Sequence, residues 1–265
     1  MPGTSMCTMA DHAALLRLLT WLSPTFPTGA YAYSHGLEWS VAVGDVTDGA
    51  RLRGWIEDLL AYGSARSDAI LLRHAHRAAQ ADSAGSDSPA GWFHPSPIPS
   101  RKGRGVERAA SPPPLAGGGR ETGPARTVAE IAELAAAVAP ARERQAETLG
   151  PGAAFAAAAA VWDAIPPAPY PVAVGVLTGR SGIAEDDAVA AYLLAFAANL
   201  VSAGVRLIPL GQSAGLAVLA TLEPTILATT RDTRESTLDD IGSACWRSDI
   251  AAMRHETQYT RLFRT

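Results

Sequence analysis

Apolar residues recur at intervals of three and four positions along most of the chain, which is the spacing that places them on one face of an α-helix. The first clear example follows Asp48, a residue type that favours helix N-caps. Its apolar positions are Leu52, Trp55, Ile56, Leu59 and Leu60. Further on, Thr127 and Glu130 have the spacing of a capping box, which predicts a helix over 128–138.

The same spacing, together with proline and glycine, predicts the remaining elements. The Gly-Pro-Gly sequence at 150–152 predicts a helix end, and the carboxylates at 185–187 favour a helix start. The segment 172–177 is the only strand candidate, and no alternating apolar run is available to pair with it. The other predicted helices cover 15–22, 69–79, 153–164 and 185–200. We therefore predict an all-α fold, a single-domain helical bundle.

One segment, 81–125, differs in composition from the rest of the chain. Of its 45 residues, 22 are Pro, Gly or Ser, and only five are Val, Ile, Leu, Phe or Trp. Such a segment buries too little apolar surface to offset the entropy cost of ordering it. We predict a flexible insert that interrupts one domain spanning 1–265. A polyproline or basic docking segment, which the triple proline at 112–114 supports, is the alternative.

Charge and cysteine content narrow the function. The 265 residues carry a formal net charge of −4 and no basic block, so we expect neither nucleic acid nor an anionic membrane surface as a partner. The longest apolar run, 188–198, is shorter than the roughly 20 residues that span a bilayer. The only cysteines, Cys7 and Cys245, lie near opposite ends, which is typical of a reducing compartment and predicts a cytoplasmic protein.

Common catalytic and cofactor motifs are missing from the sequence. The only lysine, Lys102, is followed by glycine within the insert, so the chain has no P-loop for nucleotide hydrolysis. His74 and His76 are two positions apart, a spacing that places them on different faces of a helix. We therefore predict no enzyme activity, no cofactor and no metal site.

Two polar and aromatic clusters remain as candidate partner-binding sites. The first lies where a Pro- and Gly-containing loop meets a helix, and its candidates are Tyr31, Tyr33, His35 and Glu38. The second is the C-terminal tail, and its candidates are Arg254, His255, Glu256, Tyr259, Arg261 and Phe263. Arg, Tyr and Phe are enriched in protein interfaces, whereas chain termini are usually small and polar. A last helix folded back on its own domain is the alternative for the tail.

The same clusters carry a resemblance to a known family. The sequence at 27–38 resembles the N-terminal signature of the UreF family of urease accessory proteins. The sequence at 206–212 resembles the family's central motif, and 253–263 resembles its C-terminal tail almost residue for residue. Weaker matches at 67–69 and 142–144 fall in the expected order, and the insert is where the chain departs from the family pattern.

The resemblance implies an all-helical adaptor without catalytic activity that forms a homodimer. Its implied partners are UreD, also called UreH, the GTPase UreG and apo-urease, and its implied role is to recruit UreG to apo-urease for nickel delivery. We expect the tail to become ordered against UreD and to contribute little to the stability of the isolated protein.

Two other functions remain open at this point. One is a nickel-binding chaperone, although the histidines and Cys245 are not clustered. The other is a helical enzyme with a dispersed site, for example one built from His35, Glu38 and His255.

Overall fold

The computed structural model describes residues 9–85 and 126–264, and every regular element within them is helical. The α-helices are α1 (Met9–Trp21), α2 (Leu37–Ala42), α3 (Gly49–Tyr62), α4 (Ser64–Gly85), α5 (Val128–Ala137), α6 (Arg142–Ala159), α7 (Tyr170–Arg180), α8 (Glu185–Leu207), α9 (Gln212–Asp232) and α10 (Trp246–His255). Short 3-10 helices cover Ala30–Ala32 and Leu238–Asp240. The predicted all-α class is confirmed.

Helix α7 lies at the centre of the fold and packs closely along α4. A Cβ atom added at Gly175 would lie 2.4 Å from the carbonyl oxygen of Leu72, and one at Gly179 would lie 2.5 Å from that of His76. All residues from Pro171 to Gly179 are buried. The strand considered for 172–177 is therefore wrong: this segment is helical, and it has no helical period because all its faces are buried.

Helices α8 and α9 pack against each other, with α3 and α4 beside them. Both α8 and α9 have the length and apolar composition of a membrane-spanning helix. Within an apolar stretch of 18 residues in each helix, half of the stretch in α8 and a third of that in α9 are buried inside the structure. A core helix has the same properties, so this composition alone does not place the chain in a membrane.

Two predicted boundaries are wrong. Helix α6 continues through Pro151, whereas we expected a helix end at 150–152. Gly152 serves close packing instead, because a Cβ atom there would lie 1.9 Å from the carbonyl oxygen of Ala168. The predicted insert begins too early, since residues 81–85 continue α4; the rest of it, 86–125, lies outside the described residues.

The predicted helix starts at Asp48 and Thr127 are confirmed. The Asp48 carboxylate accepts a hydrogen bond of 2.9 Å from the backbone N–H of Arg51. Thr127 and Glu130 form both bonds of a capping box. These local signals succeed because each involves residues only three positions apart.

A buried arginine joins α4 to α8 and α9. The Arg73 guanidinium donates to the carboxylates of Glu185 and Asp186, to the carbonyl oxygen of Thr230 and to the hydroxyl of Thr233. Its side chain is 1% exposed, so these four acceptors replace water. The acidic start of α8 therefore pairs with a buried cation as well as with the helix dipole.

Candidate partner-binding site

The loop before α2 brings the chain close to α10. His35 and Gly36 both have left-handed backbone angles, with φ of 53° and 77°. A Cβ atom added at Gly36 would lie 2.8 Å from the backbone nitrogen of Ala252. Glycine is therefore favoured at position 36 both by the left-handed backbone conformation and by the lack of space for a side chain. This close approach places α2 directly on α10.

Glu38, in the first turn of α2, binds the C-terminal tail. Its carboxylate accepts hydrogen bonds from the backbone N–H of Leu262 at 2.6 Å and of Phe263 at 3.0 Å. It also lies 2.9 Å from Nε2 of His255. A buried carboxylate with three donors is well satisfied, so Glu38 fixes both α10 and the tail on the helical body.

His255 lies between two carboxylates and is fully buried. Its Nδ1 is 2.8 Å from Oε2 of Glu143, opposite the Glu38 contact. Each ring nitrogen of His255 thus faces one carboxylate. Burial raises the pKa of Glu143 despite the opposing effects of His255 and of Arg261, whose Nη1 lies 3.1 Å from Oε1 of Glu143.

A second polar cluster lies beneath the loop. The backbone N–H of His35 donates to Glu147 at 3.1 Å, and the imidazole lies 4.8 Å from the Phe196 ring, centroid to centroid. Arg144 donates to Glu147 and also contacts Nδ1 of His35. Nδ1 of His35 also lies 3.1 Å from Oε2 of Glu147, so His35, Arg144 and Glu147 form one cluster.

The structure divides the sequence-predicted site residues into two sets. His35 is half-buried, and the buried residues are Tyr33, Glu38, His255 and Phe263. The exposed residues are Tyr31, Arg254, Glu256, Tyr259 and Arg261. The buried residues hold the tail to the loop, and the exposed residues are the ones available to a partner.

The tail is already packed on the body in the chain alone, in contrast to our expectation that it orders only against UreD. The backbone N–H of Arg264 donates to the carbonyl oxygen of Ala32 at 2.8 Å. Glu256 accepts a hydrogen bond of 3.0 Å from the backbone N–H of Arg142 and so caps the start of α6. These are contacts between segments far apart in sequence, which the tail's composition does not reveal.

Two residues of α8 that were not predicted as site residues also hold this region. Asn199 donates to the carbonyl oxygen of Ala30 at 3.0 Å. Arg206 donates to the carbonyl oxygen of Tyr31 at 3.0 Å, and its guanidinium carbon lies 4.4 Å from the centroid of the Phe263 ring. Loop, tail and α8 therefore form one continuous structure.

An apolar stripe on α10 was also missed. Trp246, Ile250 and Met253 are 72%, 54% and 48% exposed, although their spacing of four and three places them on one helix face. The opposite face of α10 packs inward through Ala251 and Ala252. The spacing was visible in the sequence, but only the structure shows that this face points outward. Exposed apolar surface of this kind is typical of interaction sites.

Residues 9–85 and 126–264 contain no group of three His, Cys, Asp or Glu side chains arranged to hold a metal ion. Nε2 of His74 contacts the carbonyl oxygen of Ser236 at 3.0 Å, and Nε2 of His76 contacts that of Ile183 at 2.9 Å. Both histidines thus have structural contacts within the fold.

Comparison with known proteins gives a consistent result. The UreF family profile matches residues 46–223. A relative from Bradyrhizobium sp. (strain BTAi1 / ATCC BAA-1182), named urease accessory protein UreF, is 44% identical over 97% of this chain and 95% of its own length. Proteins of the same name from Cereibacter sphaeroides (strain KD131 / KCTC 12085) and Rhodopseudomonas palustris (strain TIE-1) are 45% and 40% identical over 96% of this chain and over 99% and 94% of their own lengths. The resemblance seen in the sequence is confirmed, and the chain belongs to the UreF family of urease accessory proteins.

Proposed function

We propose that this chain is a urease maturation adaptor that acts with UreD, also called UreH, to recruit the GTPase UreG to apo-urease for nickel delivery. The observation that carries the proposal is the surface formed by α10 and the tail. Arginine and tyrosine side chains are exposed there beside an apolar stripe, the combination enriched in interface centres.

The contacts behind this surface support a binding role. Glu38 and His255 fix the tail from inside, so the exposed side chains of Arg254 and Tyr259 project from an ordered backbone. A preformed surface loses less conformational entropy on binding than a disordered tail does. We propose Tyr31, Arg254, Glu256, Tyr259 and Arg261 as contact residues for UreD. Tyr33, His35, Glu38, His255 and Phe263 would position them.

We further propose that the chain is cytoplasmic, is not an enzyme, and functions as a homodimer. Leu216 and Leu227 of α9 support self-association: both are more than half exposed, and their separation of eleven residues, three helical turns, places them on one face. Light scattering of the purified protein at micromolar concentration should report twice the monomer mass of 27.5 kDa. A monomer would contradict this part of the proposal.

Urease activation in cells tests the adaptor role. In a strain without its own copy of this gene, the wild-type chain should restore urease activity, and the double variant Arg254→Ala, Tyr259→Ala should not. Arg231→Ala is the matched control, because Arg231 is also exposed but lies at the C-terminal end of α9. Full activity from the double variant at normal protein levels would contradict the proposed contact surface.

A further inference from the structure

A cavity of about 1010 Å³ lies between α1 and α8. Its walls are largely apolar and include Leu18 and Leu19 of α1 and Ala195 of α8. Small-molecule and side-chain pockets typically have about 300 to 1,000 Å³ and combine apolar walls with a few fixed polar groups. The size and lining of this cavity therefore fit a ligand-binding pocket.

The cavity has a carboxylate in its wall that forms no ion pair with a cation among the described residues. Asp68 of α4 lines the cavity, and its Oδ2 accepts a hydrogen bond of 2.9 Å from the hydroxyl of Tyr192. Within the described part of the chain, no salt bridge joins Asp68 to Arg, Lys or His. Burial raises the pKa of Asp68, as expected for a carboxylate with too little stabilisation of its charged form.

The two other buried charged groups of this cavity are already engaged. Arg144 and Glu147 also line it, and they form an ion pair with each other. The charge on Arg144 also lowers the pKa of Asp68, but less than burial raises it, and the ion pair of Arg144 is with Glu147. Two carboxylates therefore share one guanidinium. An incoming cation would complete the balance by pairing with Asp68.

Aromatic rings form another part of the same cavity. Tyr170, Tyr192 and Phe196 all line it, and the rings of Tyr170 and Tyr192 are 5.4 Å apart, centroid to centroid. The faces of aromatic rings attract ammonium groups. Aromatic rings combined with a carboxylate select a cation over a neutral or anionic group of the same size.

We propose that this cavity binds a primary ammonium group on an apolar stem, with Asp68 as its anionic partner and Tyr170, Tyr192 and Phe196 as its aromatic walls. A lysine side chain of a partner protein and a free alkylamine share this chemistry. The cavity reaches the loop of the proposed partner-binding site, since Tyr31, Tyr33 and His35 also line it. The four residues proposed to hold the ammonium group lie on α4, α7 and α8, and none of them belongs to α10 or the tail.

Calorimetric titration of the full chain with n-hexylammonium tests the site. Hexylammonium should bind, and 1-hexanol and hexanoate, which have the same stem, should bind at least tenfold more weakly. Equal binding of hexylammonium and hexanol by the wild-type protein would overturn the proposal, and this comparison requires no variant that could fail to fold.

Asp68→Asn supplies the second measurement. The amide oxygen can still accept the hydrogen bond from Tyr192, so the variant should fold, while its affinity for hexylammonium falls at least tenfold. Asp187→Asn is the matched control: Asp187 lines the same cavity but is exposed, and hexylammonium binding should stay unchanged. Unchanged binding by a folded Asp68→Asn variant would also overturn the proposal.

A competition assay identifies the source of the ammonium group once binding is established. If a lysine of UreD occupies the site, excess hexylammonium should lower the capture of UreD by this chain, and hexanol should not. If the ligand is a free amine, capture should be unaffected while hexylammonium still binds. Both results support the ammonium site and differ only in the source of the ammonium group. Neither result depends on whether UreG is recruited.

Discussion

The carboxylate of Glu38 accepts a hydrogen bond of 3.0 Å from the backbone N–H of Phe263, 225 positions later in the chain. The loop motif and the tail motif, which the sequence presents at opposite ends, are therefore one structure. The tail is part of the folded body, and its exposed residues are displayed on a backbone that Glu38 holds in place.

Glu38→Ala should lower the free energy of unfolding by about 3 to 5 kcal/mol, because it leaves two backbone N–H groups and the buried His255 without their acceptor. Urea denaturation followed by circular dichroism measures the change. Glu133→Ala is the matched control: Glu133 is exposed on α5, and its loss should change stability by no more than about 0.5 kcal/mol. Equal stability of the two variants would show that the Glu38 contacts do not stabilise the fold.

Gly175→Ala should destabilise the protein by more than about 2 kcal/mol, because the new methyl group would lie 2.4 Å from the carbonyl oxygen of Leu72 and force α7 away from α4. Gly54→Ala on α3 should have the opposite effect. Nothing lies within 4 Å of a Cβ atom at Gly54, so alanine there should stabilise the helix by about 0.5 to 1 kcal/mol. Thermal melts of both variants test this contrast, and a stabilised Gly175→Ala protein would contradict the packing described.

Arg73→Met should cost about 3 kcal/mol at neutral pH, since it removes a buried cation from Glu185 and Asp186. Arg77→Met is the matched control. Arg77 also binds Glu185 but is 45% exposed, so its loss should cost less than about 1 kcal/mol. A similar loss in both variants would argue against a special role for the buried arginine.

The wild type and Arg73→Met should also differ in how their stability responds to acid. Although burial raises the pKa of Glu185, hydrogen bonds from Arg77 and Arg73 outweigh it and lower that pKa from its ordinary value of 4.5. A lowered carboxyl pKa stabilises the fold above the unfolded value, and this contribution is lost as the pH falls through the folded value. The free energy of unfolding should therefore fall more steeply below pH 4.5 in the wild type than in Arg73→Met. Parallel curves would contradict this linkage.

Local signals in the sequence predicted much of the fold. Asp48 and the Thr127–Glu130 pair mark helix starts correctly because capping depends on residues within one turn. The strand prediction for 172–177 fails because a helix buried on every face shows no amphipathic period. The helix end predicted at 150–152 fails because packing of α6 against α7 and the preceding link outweighs the cost of Pro151 within a helix.

The candidate site could be predicted only in part. Composition and family resemblance pointed to the loop and tail residues, but they could not predict which of these residues face inward. The inward position of His255 depends on Glu38 and Glu143, which lie 217 and 112 positions away. The exposure of the apolar stripe on α10 likewise depends on the packing of the opposite helix face, which carries Ala251 and Ala252, against the body of the protein. The roles of these residues in partner binding stay predictions.

The purified protein should neither bind nor hydrolyse GTP, because the sequence has no P-loop lysine to neutralise the terminal phosphates. Titration with a fluorescent GTP analogue measures binding, and phosphate release measures hydrolysis. Purified UreG serves as the positive control. Saturable GTP binding by this chain in the absence of UreG would contradict the assignment of the GTP chemistry to the partner.

Capture of UreD by the purified chain tests the central claim most directly. The wild-type protein should capture UreD and, with it, UreG. The Arg231→Ala variant should do the same, because Arg231 lies at the opposite end of the α8–α9 pair from Arg206, which contacts the tail. The double variant Arg254→Ala, Tyr259→Ala should melt within about two degrees of the wild type, because both side chains are exposed, yet its affinity for UreD should fall at least tenfold. A folded double variant that binds UreD with unchanged affinity would contradict the account.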